Sequence, residues 1–261
     1  METIAILERD KKFIRTIKPT QSEIFYPESD GRPLGETDFH ITAILTLLEA
    51  LRHFFRRSLD VYVAANMMFY YKEGDPTRVK SPDVFVVKRV GKQMRRIFKL
   101  WQEQTPCTIF EITSRKTRKE DIGAKFDLYE SMGVNEYILF DPIDEYLHPR
   151  LQGFRLEHGL YQPMKLESDG SLYSRELGAI LRPEEWMLRV IDAVTGEEVP
   201  TLEESIELGA EAIDQAEHAR RLARAEAERA QAEAERADTA EAETARLRTE
   251  LERLRRQLTE K

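Results

Sequence analysis

The apolar positions of this chain fall into helical, strand-like and heptad patterns in turn. Over residues 37–56, Ile41, Ile44, Leu45, Leu48 and Leu51 recur at i, i+3, i+4, i+7 spacing, which predicts an amphipathic helix. Runs rich in Val, Ile, Phe and Tyr predict strands at 61–71, 79–87, 107–113 and 136–140. Gly74-Asp75-Pro76 and Asp141-Pro142 are turn signals, and residues 19–33 hold enough turn formers to predict loop. Residues 88–104 read as a basic connection carrying Lys88, Arg89, Lys92, Arg95, Arg96 and Lys99. Thr117 and Glu120 match a capping box, so a helix should run over 118–132 and stop before Gly133, a natural left-handed residue beyond a helix end. Strand, helix and strand with a short exit loop make a βαβ-like unit and predict parallel pairing. Residues 154–156 and 160–164 flank His158-Gly159 as a hairpin, and 186–191 predict a last strand.

Within these elements the polar exceptions carry the chemistry. Asp83 and Glu111 each stand alone among apolar neighbours of a predicted strand. Burying a carboxylate costs several kcal/mol unless a cation compensates it. An Arg or Lys partner would serve, and so would a bound divalent cation, since hard cations favour oxygen ligands. Helix 118–132 repeats the theme: Ile122, Phe126, Leu128, Tyr129 and Met132 define its apolar side, and Lys125 falls inside that arc. Lys125 either snorkels to solvent or points at the Glu111 strand, with Asp121 one turn before it as a pairing partner.

The composition changes near residue 200. Beyond Thr201 the chain is Ala, Glu, Arg and Leu, with no Pro, no aromatic residue and one glycine, Gly209. These residues favour helix. Leu247, Leu251, Leu254 and Leu258 alternate spacings of four and three. Ala240, Ala237, Ala230, Ala223, Ala219, Ala216 and Ala212 extend that seam backwards, interrupted at Glu226, Glu233 and Thr244. The pattern predicts two parts: an α/β domain over 1–200 and a helical coiled-coil tail over 201–261. The tail would favour a homo-oligomer, in the simplest case a parallel dimer.

Charge and cysteine content narrow the class. The net charge is −8 and the pI about 5.4, so the strongly basic footprint of a dedicated nucleic-acid binder is absent. One cysteine, Cys107, excludes an intrachain disulfide framework and a cysteine-rich zinc site. It reads as a buried small hydrophobe. Residues 1–20 hold no signal-peptide apolar region and no run is long enough to span a membrane, which makes a soluble, cytoplasmic protein the expectation.

Pro82-Asp83 followed by Glu111-Ile112-Thr113 resembles the PD-(D/E)XK motif of restriction-endonuclease-like nucleases. The longer string from Glu111 through Asp121, Lys125 and Tyr129, then Gly133 to Tyr137 and Phe140-Asp141-Pro142, resembles the Uma-two family of restriction endonucleases, as does Glu36-Thr37-Asp38-Phe39-His40. The resemblance covers roughly residues 20–195. It implies a mixed sheet of four to five strands flanked by helices, with the site at one edge. It implies Mg²⁺, or Mn²⁺, held by Asp83, Glu111 and the Ile112 carbonyl, with Glu36 as an added ligand and nucleic acid, DNA foremost, as the partner. Thr113 stands where the motif has lysine, and the resemblance assigns that lysine's role to Lys125 on the following helix. His40, Thr113, Asp121 and Tyr129 are possible accessories. A different class stays open: a nuclease-like scaffold without activity that works through its coiled coil.

Overall fold

A computed structural model describes residues 24–31 and 36–259. Helix α1 (Asp38–Phe54) is followed by strands β1 (Val61–Ala65), β2 (Phe69–Tyr70), β3 (Val79–Lys80), β4 (Val84–Lys88), β5 (Phe98–Lys99) and β6 (Thr108–Ile112). Short helices α2 (Arg118–Asp121) and α3 (Ala124–Ser131) lead to β7 (Glu136–Phe140). Strands β8 (Leu151–Glu157), β9 (Leu160–Pro163), β10 (Leu172–Ser174), β11 (Ala179–Glu184) and β12 (Met187–Asp192) complete the first unit, and helix α4 (Leu202–Thr259) forms the second. Residues 1–23 lie outside the described residues, as do residues 32 and 33 of the predicted 19–33 loop.

The main sheet is mixed, with six strands in the order β1-β4-β6-β7-β8-β9. Only β6 and β7 pair in parallel, as the βαβ-like pattern predicts. The sheet exceeds the expected four to five strands because the β8–β9 hairpin pairs onto β7 and prolongs it. Glu111 therefore sits on the third of six strands, not at a lateral edge. Side chains alternate across β6: Phe110 and Ile112 pack into one core with α1 and the three-stranded sheet β10-β11-β12, and Ile109 packs into the other with Phe85, Tyr129 and Tyr137. The period of two puts Glu111 on the side of Ile109.

Two predicted strands are each split in the same place. Residues 61–71 break at Asn66, which adopts a positive φ of 47°, and residues 79–87 break at Ser81 to Asp83. Pro82 has no N–H for a ladder, and the Asn66 N–H instead donates to the Pro82 and Asp83 carbonyls at 3.1 and 3.3 Å. The two chains then leave the main sheet together and form a small sheet, β3-β2-β5. Asp83 is thus placed immediately before β4 and not within it.

Helix α1 begins at Thr37, whose hydroxyl accepts from the His40 N–H at 3.3 Å. Its buried face is rotated from the predicted one. His40, Ala43, Ile44, Leu47, Leu48 and Leu51 are buried, whereas Ile41 and Leu45 are exposed. The apolar run 43–48 is too continuous for spacing alone to choose between the two faces. The helix predicted over 118–132 is broken at Ile122-Gly123, and the capping box does not form: the Thr117 hydroxyl accepts from the Ser114 N–H at 3.1 Å and caps nothing. Ile122 is turned out to solvent by the break. At Gly123 a Cβ would stand 2.9 Å from the Lys119 carbonyl oxygen, so only glycine permits this turn. Gly133 adopts φ 77° just past the end of α3, as expected of a left-handed residue there.

Helix α4 carries exposed side chains from Ile206 onward, wherever they are described. Leu247 and Leu251 are exposed, and the side chains of Leu254 and Leu258 lie outside the described residues. Among the described residues, no helix is long and apolar enough to cross a membrane.

Gly123→Ala should destabilise the first unit by about 1–3 kcal/mol, because backbone must move to admit the new methyl. A urea melt reads this directly, and an unchanged midpoint would contradict the packing described at the α2–α3 break.

Candidate metal and phosphate site

Strands β4 and β6 run antiparallel with Val84 opposite Phe110. One step further in the same register, Asp83 stands opposite Glu111, a relation that sets Cβ atoms about 4.5–5.5 Å apart in a regular pair. The Asp83 Oδ2 accepts from the Ile112 N–H at 2.7 Å. A strand residue turns its N–H and C=O toward the same neighbouring strand, so the Ile112 carbonyl is directed to the β4 side, where Asp83 lies. The neighbouring Thr113 N–H points the other way, to the Phe140 carbonyl at 2.7 Å.

Glu111 is fully buried, and its charge is met from helix α3. Lys125 Nζ donates to Glu111 Oε2 at 2.7 Å and to Asp121 Oδ1 at 2.8 Å. Tyr129 donates its hydroxyl to Glu111 Oε1 at 2.9 Å, and Tyr137 donates to the Asp121 carbonyl at 2.9 Å. Residues 121, 125 and 129 succeed one another at intervals of four, so the last turn of α2 and the first two of α3 present them to one place. On the α1 side, His40 links two carboxylates: Nδ1 lies 2.7 Å from Glu36 Oε2, and Nε2 lies 3.4 Å from Asp83 Oδ2. Glu36 is bonded to His40 and, among the described residues, reaches Asp83 only through that imidazole.

Burial pushes the Glu111 carboxyl above the usual carboxylate range; the Lys125 ammonium opposes that, and Asp83 and Asp121 reinforce it. Burial also raises Asp121, again opposed by Lys125. For Lys125, burial favours the neutral amine, but the charges of Glu111, Asp121 and Asp83 outweigh it and hold the ammonium above its ordinary value. Burial pulls His40 down, and Asp83 and Glu36 more than reverse this, leaving it at about 9. Lys125 therefore stays charged, which suits it to donate hydrogen bonds and leaves it unable to act as a base at neutral pH.

The donor set fits a hard divalent cation. Four carboxylates (Glu36, Asp83, Glu111, Asp121) face two cationic side chains, an excess of two negative charges when all are ionised. Among the described residues no three His, Cys, Asp or Glu side chains group tightly enough to hold a metal alone. A cation bound here would need a backbone oxygen besides these side chains, and the Ile112 carbonyl, directed to the β4 side, could supply it. Thr113 and Asp121 each keep a buried oxygen, Oγ1 and Oδ2, without a hydrogen-bond partner among the described residues.

The basic connection leaves the end of β4 remote from Asp83 and returns as β5 to pair with β2 in the small sheet. Asp83 precedes the first residue of β4 and Lys88 is its last, so residues 88–99 begin at the far end of that strand, about 17 Å away at 3.3 Å per residue. Four of its six basic residues have partners: Lys88 pairs with Glu176 at 3.1 Å, Arg95 with Glu103 at 2.6 Å and Arg96 with Glu28 at 2.6 Å, and Lys92 donates to the Phe55 carbonyl at 2.6 Å. Cys107 is buried and its thiol is pushed up to about 11 by that burial, as expected of a structural cysteine. Asp141 was not singled out as a functional group, yet its carboxylate accepts from the Ile143, Tyr146 and Leu147 N–H groups and fixes the loop beside the site. Its signals in the sequence are the turn pair Asp141-Pro142 and its place in the family-like string Phe140-Asp141-Pro142.

A histidine raised from 6.5 to about 9 stabilises the fold fully below pH 6.5, and that contribution is lost as pH rises through 9. His40→Gln should therefore reduce the fall in unfolding free energy between pH 6 and pH 9.5, read from urea melts, by on the order of 1 kcal/mol. Parallel pH profiles for the two proteins would contradict the bridging role of His40.

The Uma2 family model, described as "Putative restriction endonuclease", matches residues 19–181. A solved structure, titled as "a putative nuclease belonging to DUF820 from Anabaena variabilis ATCC 29413", is 15% identical and aligns with a TM-score of 0.43. The match covers 59% of this chain and 86% of that one. No curated protein matches the chain. The family match spans more than half of the sequence and takes in Asp83, Glu111 and Lys125, and the chain belongs to the Uma2 family.

Proposed function

We propose that the chain is a divalent-metal-dependent endonuclease that hydrolyses phosphodiester bonds in nucleic acid, DNA foremost. The observation that carries this reading is the pair of carboxylates opposed across β4 and β6, with a charged lysine bonded to one of them. Asp83, the Ile112 carbonyl and Glu111 would hold Mg²⁺ or Mn²⁺. Such an ion, when bound, supplies Lewis-acid polarisation of a phosphate oxygen and a lowered pKa for water. Lys125 spends two of its three N–H donors on Glu111 and Asp121. The third is left for the attacking water or a phosphate oxygen, where a fixed positive charge stabilises the charge that develops in the transition state. Asp121 and Tyr129 act through their neighbours: Asp121 aims Lys125, and Tyr129 fixes the rotamer of Glu111. The shift of the motif lysine to α3 accounts for Thr113, since an ammonium on that helix reaches the Glu111 carboxylate just as well.

Thr113 also favours a second reading, an inactive scaffold. The two readings part in a nicking assay on supercoiled plasmid with Mn²⁺ or Mg²⁺. The wild type should cut, and Asp83→Ala, Glu111→Ala and Lys125→Ala should each lose about 100-fold or more in rate. An uncut plasmid with wild-type protein, across salt and pH, would overturn the nuclease reading. Lys125→Ala should in addition cost about 3–5 kcal/mol of stability, because it leaves Glu111 buried without its partner. The double variant Glu111→Gln/Lys125→Met should recover most of that loss in a urea melt.

The exposed leucines of α4 give the chain a means of self-association. Full-length protein should sediment as a dimer, and protein lacking residues 203–261 as a folded monomer. Equal monomeric mass for both would contradict the coiled coil.

A further inference from the structure

A cleft of about 280 Å³ opens beside the carboxylate pair, and the nuclease reading leaves it unassigned. Three segments wall it: the start of α1 with Glu36, Phe39 and His40, the turn after β6 with Thr113 to Lys116, and the loop after β7 with Pro142, Ile143 and Tyr146. His40 both lines this cleft and touches Asp83, so the cleft adjoins the site. Its walls combine two chemistries. Phe39 is 52% exposed, unusual for a phenylalanine in a well-packed first turn, and Tyr146 is a second aromatic residue of the lining. Arg115 and Lys116 are exposed and have no ion-pair partner among the described residues, whereas the basic residues of 88–96 discussed above mostly do. Glu36 is the one acidic residue of the lining, and its carboxylate is bonded to His40.

A buried group points to the same ligand. Thr113 lines the cleft, and its hydroxyl is almost fully buried with no hydrogen-bond partner among the described residues. Leaving a buried hydroxyl unmet costs about 1–3 kcal/mol, so such a group is explained best by a ligand that meets it. Thr113 is two residues beyond Glu111, and the strand period sets it on the same side of the sheet. An acceptor oxygen there would lie next to the carboxylate pair. The wall opposite is held in place beforehand. Asp141 accepts from the Tyr146 N–H, and Arg118 Nε donates to the Tyr146 carbonyl at 2.6 Å.

We propose that this cleft receives one nucleotide of a single nucleic-acid strand, with its base against Phe39 and Tyr146 and its phosphate at the Thr113 hydroxyl, Arg115 and Lys116. The volume suits one nucleotide and is too small for a double helix, whose bases would have to leave the stack to reach the aromatic wall. Base–aromatic stacking contributes about 1–3 kcal/mol per base without regard to sequence, and the basic pair neutralises backbone phosphate. The inference rests on the nuclease reading for its biological meaning, but its test does not.

The test is fluorescence anisotropy with full-length protein and a labelled mixed-sequence deoxyoligonucleotide, about a dozen nucleotides long. It is run as single strand and as blunt duplex, in EDTA and in Ca²⁺, with a ribo-oligonucleotide as a parallel arm to separate the two kinds of strand. The single strand should bind at least about tenfold more tightly than its duplex. Phe39→Ala and Tyr146→Ala should each weaken strand binding about 5- to 100-fold, with unchanged melting temperature. Thr113→Val should weaken it severalfold, and Thr113→Ser should restore it. Equal or tighter binding of the duplex, no effect of the aromatic variants, or no binding of either strand in both buffers would overturn the proposal. Plasmid nicking distinguishes the failures. A protein that nicks but prefers duplex keeps its nuclease activity and loses this subsite. A protein that holds the strand in the stated way but never cuts keeps the subsite and loses the nuclease reading.

Discussion

The charge on Glu111 is the constraint around which this structure is arranged. A fully buried carboxylate is expensive in any protein, and here it lies on the third strand of a six-stranded sheet, with aromatic rings around it. Its compensation comes from a single helix that must arrive at one angle. Lys125 and Tyr129 reach its two oxygens, and Asp121 holds the lysine from the preceding turn. The break at Ile122-Gly123 follows from this demand. An unbroken helix would keep Ile122 on the inner face; the break turns it outward while 121, 125 and 129 stay aligned on the carboxylate. The Lys119 carbonyl approaches Gly123 closely enough that no side chain fits there.

The second carboxylate is placed by backbone alone. Pro82 and Asn66 end the pairing of β1 with β4 at one point, and both chains turn off into the small sheet. That departure leaves the Ile112 N–H and C=O without a strand partner on their side. Asp83 fills the gap with its carboxylate. A ladder continued through residue 82 would have satisfied Ile112 with backbone groups, and Asp83 would have had no reason to turn toward it. The site therefore exists where the sheet stops. Catalytic groups in mixed sheets gather at such places because free backbone groups and side chains can converge there without the cost of an unmet ladder.

Much of the site is legible in the sequence because its residues violate their surroundings. Asp83, Glu111 and Lys125 each interrupt an apolar pattern, and the i, i+4 spacing ties Asp121 and Tyr129 to Lys125. The parallel β6–β7 pair and the β8–β9 hairpin follow from ordinary turn and strand signals. Other features depend on tertiary context. The rotated face of α1 is decided by the sheet packed beneath it, since residues 41–48 are apolar on more than one side. The unused capping box at Thr117 reflects competition, because the Ser114 N–H takes the threonine oxygen first. Strands β2, β3 and β5 are two residues long, too short for any periodicity, and β5 pairs in parallel with β2 across a long loop. The basic run 88–99 leaves one end of β4 and returns as β5 beside β2, a course that no local spacing predicts.

The most direct test of the account is a crystal of the full chain soaked in Mn²⁺ and measured at the manganese absorption edge. The account predicts one anomalous peak within coordination distance of the Asp83 carboxylate, the Ile112 carbonyl and Glu111, about 2.0–2.3 Å from its oxygen ligands. The Lys125 ammonium should remain bonded to Glu111 or Asp121. No peak at the carboxylate pair under saturating Mn²⁺, or a peak only at surface carboxylates, would contradict the claim that the excess charge of this site is built for a cation.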